Sequence, residues 1–338
     1  FDKAKVYGNA VVCGNALVCG NAKVYGNAHV FGNAKVYDNA KVYGYACVYG
    51  NANVHGNAKV YGNAKVLDNA DVFDFACVYG DANVYDNASV YGKVMVYDKA
   101  EVHGHADICG DAVVNKMGDY MVFQNTWSSG RYFTWTRSND KWRVGCFYGT
   151  GKELIKKAYG DSELKGRMYK KYVKLVNEML KEEKITRAIE EWKATLFEKY
   201  GENHIFNITL YGSQNYNIDT ENSDVDVKAI YVPSLKEAVF DERISETLFN
   251  RRNEHCEVKD IREMAKMFKK QNINFLEILY TDYNLINPKY ANVWSTFLDI
   301  RDDVVRMNIR ATIQSITGQI YNTLHQDPEN GKKISNAL

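Results

Sequence analysis

Asp224 and Asp226 stand two apart in Ser223-Asp224-Val225-Asp226-Val227-Lys228, a run whose valines favour an extended strand. That spacing sends both carboxylates to one face, a few ångströms apart. Like charges so close raise one carboxyl pKa unless a cation neutralises them. Hard oxygen donors with room for water and phosphate suit Mg2+ better than Zn2+. Upstream, Leu210-Tyr211-Gly212-Ser213 offers the complement: a glycine that lets the backbone approach a phosphate, and a hydroxyl that can donate to it. Lys228 continues the alternation of the aspartates, so its ammonium belongs on their face, either meeting a triphosphate or serving as their charge partner. Gly212, Ser213 and Lys228 are the candidate nucleotide-binding residues.

A hydrophobic residue, Gly and Ser, ten residues, then Asp-hydrophobic-Asp-hydrophobic resembles the signature of polymerase β-type nucleotidyltransferases. Gly212-Ser213-Gln214-Asn215-Tyr216, Asp219-Thr220, Ser223-Asp224-Val225-Asp226 and the later Asn274-Phe275-Leu276-Glu277-Ile278-Leu279 look like the RNA-repair-pathway polymerase β-like family of phages and bacteria, over roughly residues 205–338. Asn217 stands where that family commonly has Gly, and it too tolerates a left-handed backbone. The resemblance implies an α/β core with a third carboxylate between hydrophobic neighbours on a later strand. Cys256-Glu257-Val258 has that form, with Asp260 as the competitor. Asp224, Asp226 and Glu257 are therefore the candidate catalytic and metal-binding residues, holding two Mg2+ ions, and one carboxylate can help deprotonate the attacking hydroxyl. The implied substrate is a nucleoside triphosphate, and the acceptor a hydroxyl on RNA, a protein or a small molecule.

Positioning these groups takes strands and helices in alternation. The pattern predicts strands over 205–211, 225–232 and 255–259, and helices over 185–200, 261–270 and 294–323. Ahead of them, 120–147 alternates aromatic and polar residues and reads as three short strands, with helical periodicity over 152–158 and 164–180. This small α+β module resembles a segment that follows repeats in phage and bacterial proteins. A basic cluster, Lys165, Arg167, Lys170, Lys171 and Lys174, reads as a solvated helix face that can also touch RNA phosphates.

The first third is a repeat. Alanine fills every sixth position from Ala4 to Ala112 except Val94, and valine every sixth from Val6 to Val114 except Ile108. Residues two apart share a face, so each hexad is a short strand with Ala and Val inward, and a Gly or Asp two places after the valine turns the chain. The period resembles the hexapeptide motif of left-handed parallel β-helices, which implies three hexads per coil. Tyr mostly stands where that family has a small or acidic residue after the aliphatic position. Under that count one face carries a ladder of Tyr7, Tyr25, Tyr43, Tyr61, Tyr79 and Tyr97 beside Lys5, Lys23, Lys41 and Lys59. Stacked tyrosines stabilise neighbouring coils; with the lysines they could also bind a partner or a nucleic-acid strand by stacking. The solenoid is the expected site of any protein partner or self-association.

The chain thus reads as multidomain: a hexapeptide-repeat parallel β-helix (1–117), a small α+β module (118–184) and an α/β nucleotidyltransferase core (185–338). Phe1 lies inside a repeat and Leu338 has no helix stop before it, so both ends read as cut. A net charge of +1 gives no overall reason to expect nucleic acid or anionic membrane as main partner. Seven cysteines without a CxxC pair argue against a disulfide framework or zinc site and for a cytoplasmic protein, in a host cytoplasm if phage-encoded. No 18-residue apolar run indicates a membrane span. The seven histidines show no ligand spacing and read as surface residues. Gly149-Thr150-Gly151-Lys152 lacks the first glycine and final hydroxyl of a phosphate loop. Two competing functions remain: a hexapeptide-type acyltransferase, which needs a histidine in a loop excursion between coils, and a non-catalytic phage interaction protein.

Overall fold

The computed structural model describes residues 3–212, 223–308, 310, 311 and 313. The chain divides into two compact units, Phe1–Lys174 and Leu175–Leu338. No helix among the described residues is long and apolar enough to cross a membrane.

In the first unit, two-residue rungs run from Lys5–Val6 to Val113–Val114. Each rung through Met95–Val96 pairs in parallel with the rung eighteen residues on, as Lys5 with Lys23 and Val6 with Val24. Three parallel sheets of seven, six and six strands result, a solenoid of about six coils. From Ala22 to Val114 the inward Ala and Val side chains are fully buried, and Val94 and Ile108 fill the two exceptional positions. Turn residues take positive φ, as at Gly26 (74°) and Asp38 (56°), a conformation that restricts the position to Gly or Asp. Asparagine side chains add a hydrogen-bonded ladder, Asn15 to Asn33 at 3.2 Å and Asn33 to Asn51 at 3.1 Å. The eighteen-residue register continues without a loop excursion through Val114, so the histidine-bearing loop of an acyltransferase is not among these residues.

Each coil donates its N–H groups to carbonyls of the next, as Lys5 N to Ala22 O at 2.9 Å. The last coil has no successor and must find other acceptors. A four-stranded antiparallel sheet, Tyr120–Gln124, Tyr132–Thr136, Lys141–Val144 and Phe147–Gly149, helps supply them, with one strand more than the sequence predicts. Asp107 N donates to Thr134 Oγ1 (2.9 Å), Val113 N to Ser138 Oγ (2.7 Å) and His103 N to the Tyr120 hydroxyl (3.1 Å). Tyr120 and Val122 also pack on the Ala/Val core. The sheet is therefore the solenoid's C-terminal cap. Helix α1 (Gly151–Asp161) follows, started by a capping box of Thr150 and Glu153.

Helix α2 runs unbroken from Glu163 to Tyr200 where the sequence predicts two helices; Lys181-Glu182-Glu183-Lys184 is polar but composed of good helix formers. In the second unit, strands β1 (Ile205–Leu210), β2 (Val227–Tyr231), β3 (Ser245–Phe249), β4 (His255–Asp260) and β5 (Asn284–Ile286) form one sheet in the order β3-β4-β2-β1-β5. Only β2 and β4 are parallel, and a short helix α3 (Leu235–Val239) follows β2. Ile185, Ala188, Ile189, Trp192 and Leu196, at helical spacing, pack on one face with Val225, Val227, Ala229, Cys256 and Val258. The other face carries Phe206 and Ile230 under Met264 and Phe268 of α4 (Ile261–Lys269), Phe275 of α5 (Ile273–Leu276), Trp294 of α6 (Ala291–Asp299) and Val304 of α7 (Arg301–Arg306). The single helix expected from Trp294 onward is broken at Ile300, and most of its remainder lies outside the described residues.

Candidate active site

Burial along the segment entering β2 alternates as the sequence requires. Val225 and Val227 face the α2 side of the sheet, and Ile230 faces the opposite side, so Asp224, Asp226 and Lys228 share the face of Ile230. The parallel register sets Lys228 beside Glu257 and Val227 beside Cys256, which brings Asp226 level with His255. Ligand atoms of Asp224, Asp226 and His255 all lie within 4.8 Å of one another. His255 Nδ1 is 2.8 Å from Asp226 Oδ1, and its Nε2 is 2.7 Å from the Tyr211 hydroxyl, which fixes the ring. The Asp226–His255 contact is close enough for an ion pair. Even so, no aligned hydrogen bond from the described residues reaches Asp226 Oδ1, which is buried among them.

Burial is also the main reason the Asp226 carboxyl is pushed up to about 6; Asp224 and Glu254 add to the rise and His255 opposes it. Gly212 closes β1 directly beside this group. Its φ of +82° favours glycine, and a Cβ there would sit 3.4 Å from Asp226 Oδ2. Gly212 N points to Glu277 Oε2 at 3.4 Å, a buried carboxylate within the stretch that carries the family resemblance. Ser213 and the residues from there to Asn222 lie outside the described residues.

Glu257 has a different immediate partner from the two aspartates. One rung along from His255, its oxygens lie 3.2 Å from Lys228 Nζ and 3.4 Å from Lys259 Nζ. Burial pushes the Glu257 carboxyl up, but the two ammonium groups outweigh it and hold it below its ordinary value. Lys228 has no exposed surface; its Nζ donates to Asn274 O at 2.6 Å and sits over the Tyr211 and Phe275 rings at 4.4 and 4.7 Å. Its charge partner is thus Glu257 rather than the two aspartates. Asp260, the competitor, belongs to the opposite parity of β4: it caps α4 through Arg262 N (2.9 Å) and pairs with the Arg262 guanidinium at 2.6 Å.

In the sequence His255 reads as a surface residue like the other histidines, because its partners are distant along the chain. The missing signal is register, since only strand pairing shows that residue 255 and not 257 is level with Asp226. Two carboxylates and an imidazole within a few ångströms form a donor set that fits a divalent cation. No protein-family model matches the chain, and no curated protein or solved structure matches it either.

Proposed function

We propose that the second unit is a metal-dependent nucleotidyltransferase of the polymerase β type, moving a nucleoside monophosphate from a nucleoside triphosphate to a hydroxyl on RNA, a protein or a small molecule. The observation that carries this reading is the convergence of Asp224, Asp226 and His255 beside Gly212, at the mouth of the sheet. In the reaction the acceptor oxygen bonds to the α-phosphorus as the bond to pyrophosphate breaks. A divalent cation held there would offset the triphosphate charge and acidify the acceptor hydroxyl. Asp224 and Asp226 supply the negative charge that holds it, and His255, braced by Tyr211, supplies a nitrogen donor. Gly212 leaves room for a phosphate against the backbone. Lys228 and Glu257, paired under the site, keep the polar floor in place rather than contacting substrate directly.

The test is incubation of the full chain with each α-labelled nucleoside triphosphate, Mg2+ or Mn2+, and total RNA or protein. Wild type is expected to label an acceptor, and Asp224→Asn and Asp226→Asn to reduce labelling by about a hundredfold or more, since each removes charge that holds the metal. Absence of label with every nucleotide and acceptor, or full activity in Asp226→Asn, refutes the assignment.

A further inference from the structure

The first unit carries a charge pattern that nucleotidyl transfer does not use. On one of the three solenoid sheets the outward residue of four successive rungs is lysine, and the register stacks Lys5 on Lys23, Lys23 on Lys41 and Lys41 on Lys59. The other two sheets mix their signs, with Lys65 and Glu101 on one, and Lys35, Asp71 and Asp107 on the other. The turn positions beside these four rungs are Gly, Asn or Tyr, apart from Asp2-Lys3 ahead of the first rung in the sequence and Asp38, which lies 3.8 Å from His55 and accepts from Gly56 N. Like charges directly opposite one another in a sheet repel, so the row is unfavourable until an anion lies along it.

Beside the lysines run the tyrosines. Tyr7, Tyr25, Tyr43 and Tyr61 stack with ring centroids 4.9–5.0 Å apart and planes within 3° of parallel. Each inner ring is covered on both faces by its neighbours, so bases cannot stack on the ladder as they do on isolated aromatic platforms. Tyr25, Tyr43 and Tyr61 are half-buried, so the stack leaves ring edges and hydroxyls rather than ring faces to a ligand. Phenol hydroxyls are protonated donors at neutral pH, and burial raises the pKa of Tyr25, Tyr43 and Tyr61 further.

We propose that this face binds the sugar-phosphate backbone of a single-stranded nucleic acid without reading its bases. One cation and one hydroxyl per coil, over three steps of 4.9 Å or about 15 Å in all, match a chain with one anion per repeat. A flexible single strand can fold its phosphates onto that pitch. A rigid duplex cannot lay successive phosphates along a straight row.

The inference stands apart from the catalytic reading, because it concerns the first unit alone. The experiment measures binding of a labelled 20-nucleotide single strand to the full-length chain by fluorescence anisotropy between 50 and 200 mM salt. Four phosphate contacts give a slope of log K against log salt of about −2.8, a loss of about fiftyfold over that range. Lys23→Gln with Lys41→Gln is expected to bring the slope to about −1.4, a loss of only about sevenfold. Lys35→Gln with Lys65→Gln, the same charge change on the other two sheets, is expected to leave the slope as in wild type. Equal effects of the two pairs, or a slope near zero in wild type, overturn the proposal. So does binding of duplex or heparin as tight as that of the single strand and equally sensitive to Lys23→Gln and Lys41→Gln.

Discussion

Replacing Asp226 by Asn is expected to stabilise the metal-free second unit near neutral pH while abolishing its response to divalent cations. In the folded chain burial raises the Asp226 carboxyl from an ordinary 3.8 to about 6. A raised carboxyl pKa means that the fold binds the proton more tightly than the unfolded chain does. This contribution to stability is therefore complete below about pH 3.8 and is lost as pH rises through about 6. The difference of about two pH units, at about 1.4 kcal/mol each, makes the ionised group cost the fold about 3 kcal/mol at pH 7.5. Asn removes that cost but also removes the partner of His255, so a net gain of about 1–3 kcal/mol is expected, or several degrees in the unfolding temperature of a unit this size. Calorimetry of the full chain with chelator at pH 7.5 and pH 4 measures it. The gain should appear at pH 7.5 and vanish at pH 4, and millimolar Mn2+ or Mg2+ should raise the wild-type transition but not that of Asp226→Asn. A variant less stable than wild type at pH 7.5 would refute the reasoning, because the carboxylate would then be a net contributor to the fold.

The remaining predictions separate metal ligands from supporting residues. Glu257→Gln leaves the buried Lys228 ammonium without its carboxylate and should destabilise the second unit by about 3 kcal/mol, read as a lower unfolding temperature in chelator, where a pure metal ligand would show no such loss. His255→Ala should weaken Mn2+ binding by about tenfold and Mg2+ binding by less, because imidazole contributes more to Mn2+ than to Mg2+; titration calorimetry compares the two. Thr134→Val keeps shape but leaves Asp107 N without its acceptor, and should cost the first unit about 1–3 kcal/mol in denaturant unfolding with little change in the second.

Periodicity alone determined the solenoid, because an Ala and a Val two apart, repeated every six residues, admit one arrangement that buries both on the same side. The number of residues per coil was a resemblance in the sequence and became a register in the structure, Lys5 on Lys23. Spacing also put Asp224, Asp226 and Lys228 on one face, since side-chain direction in an extended segment depends only on local parity. What parity cannot say is which rung of another strand lies alongside. Pairing of β2 with β4 decided that His255 meets Asp226 while Glu257 meets Lys228, and it turned Asp260 to the other side as a helix cap. The capping role of the sheet after Val114 was hidden for the same reason: Thr134 and Tyr120 look like ordinary strand residues and Ser138 like an ordinary turn residue until the N–H groups of the last coil are seen facing them. Contacts within a few residues are written in the sequence, whereas those between distant segments depend on how strands align, and the alignment is set by the burial of the whole sheet.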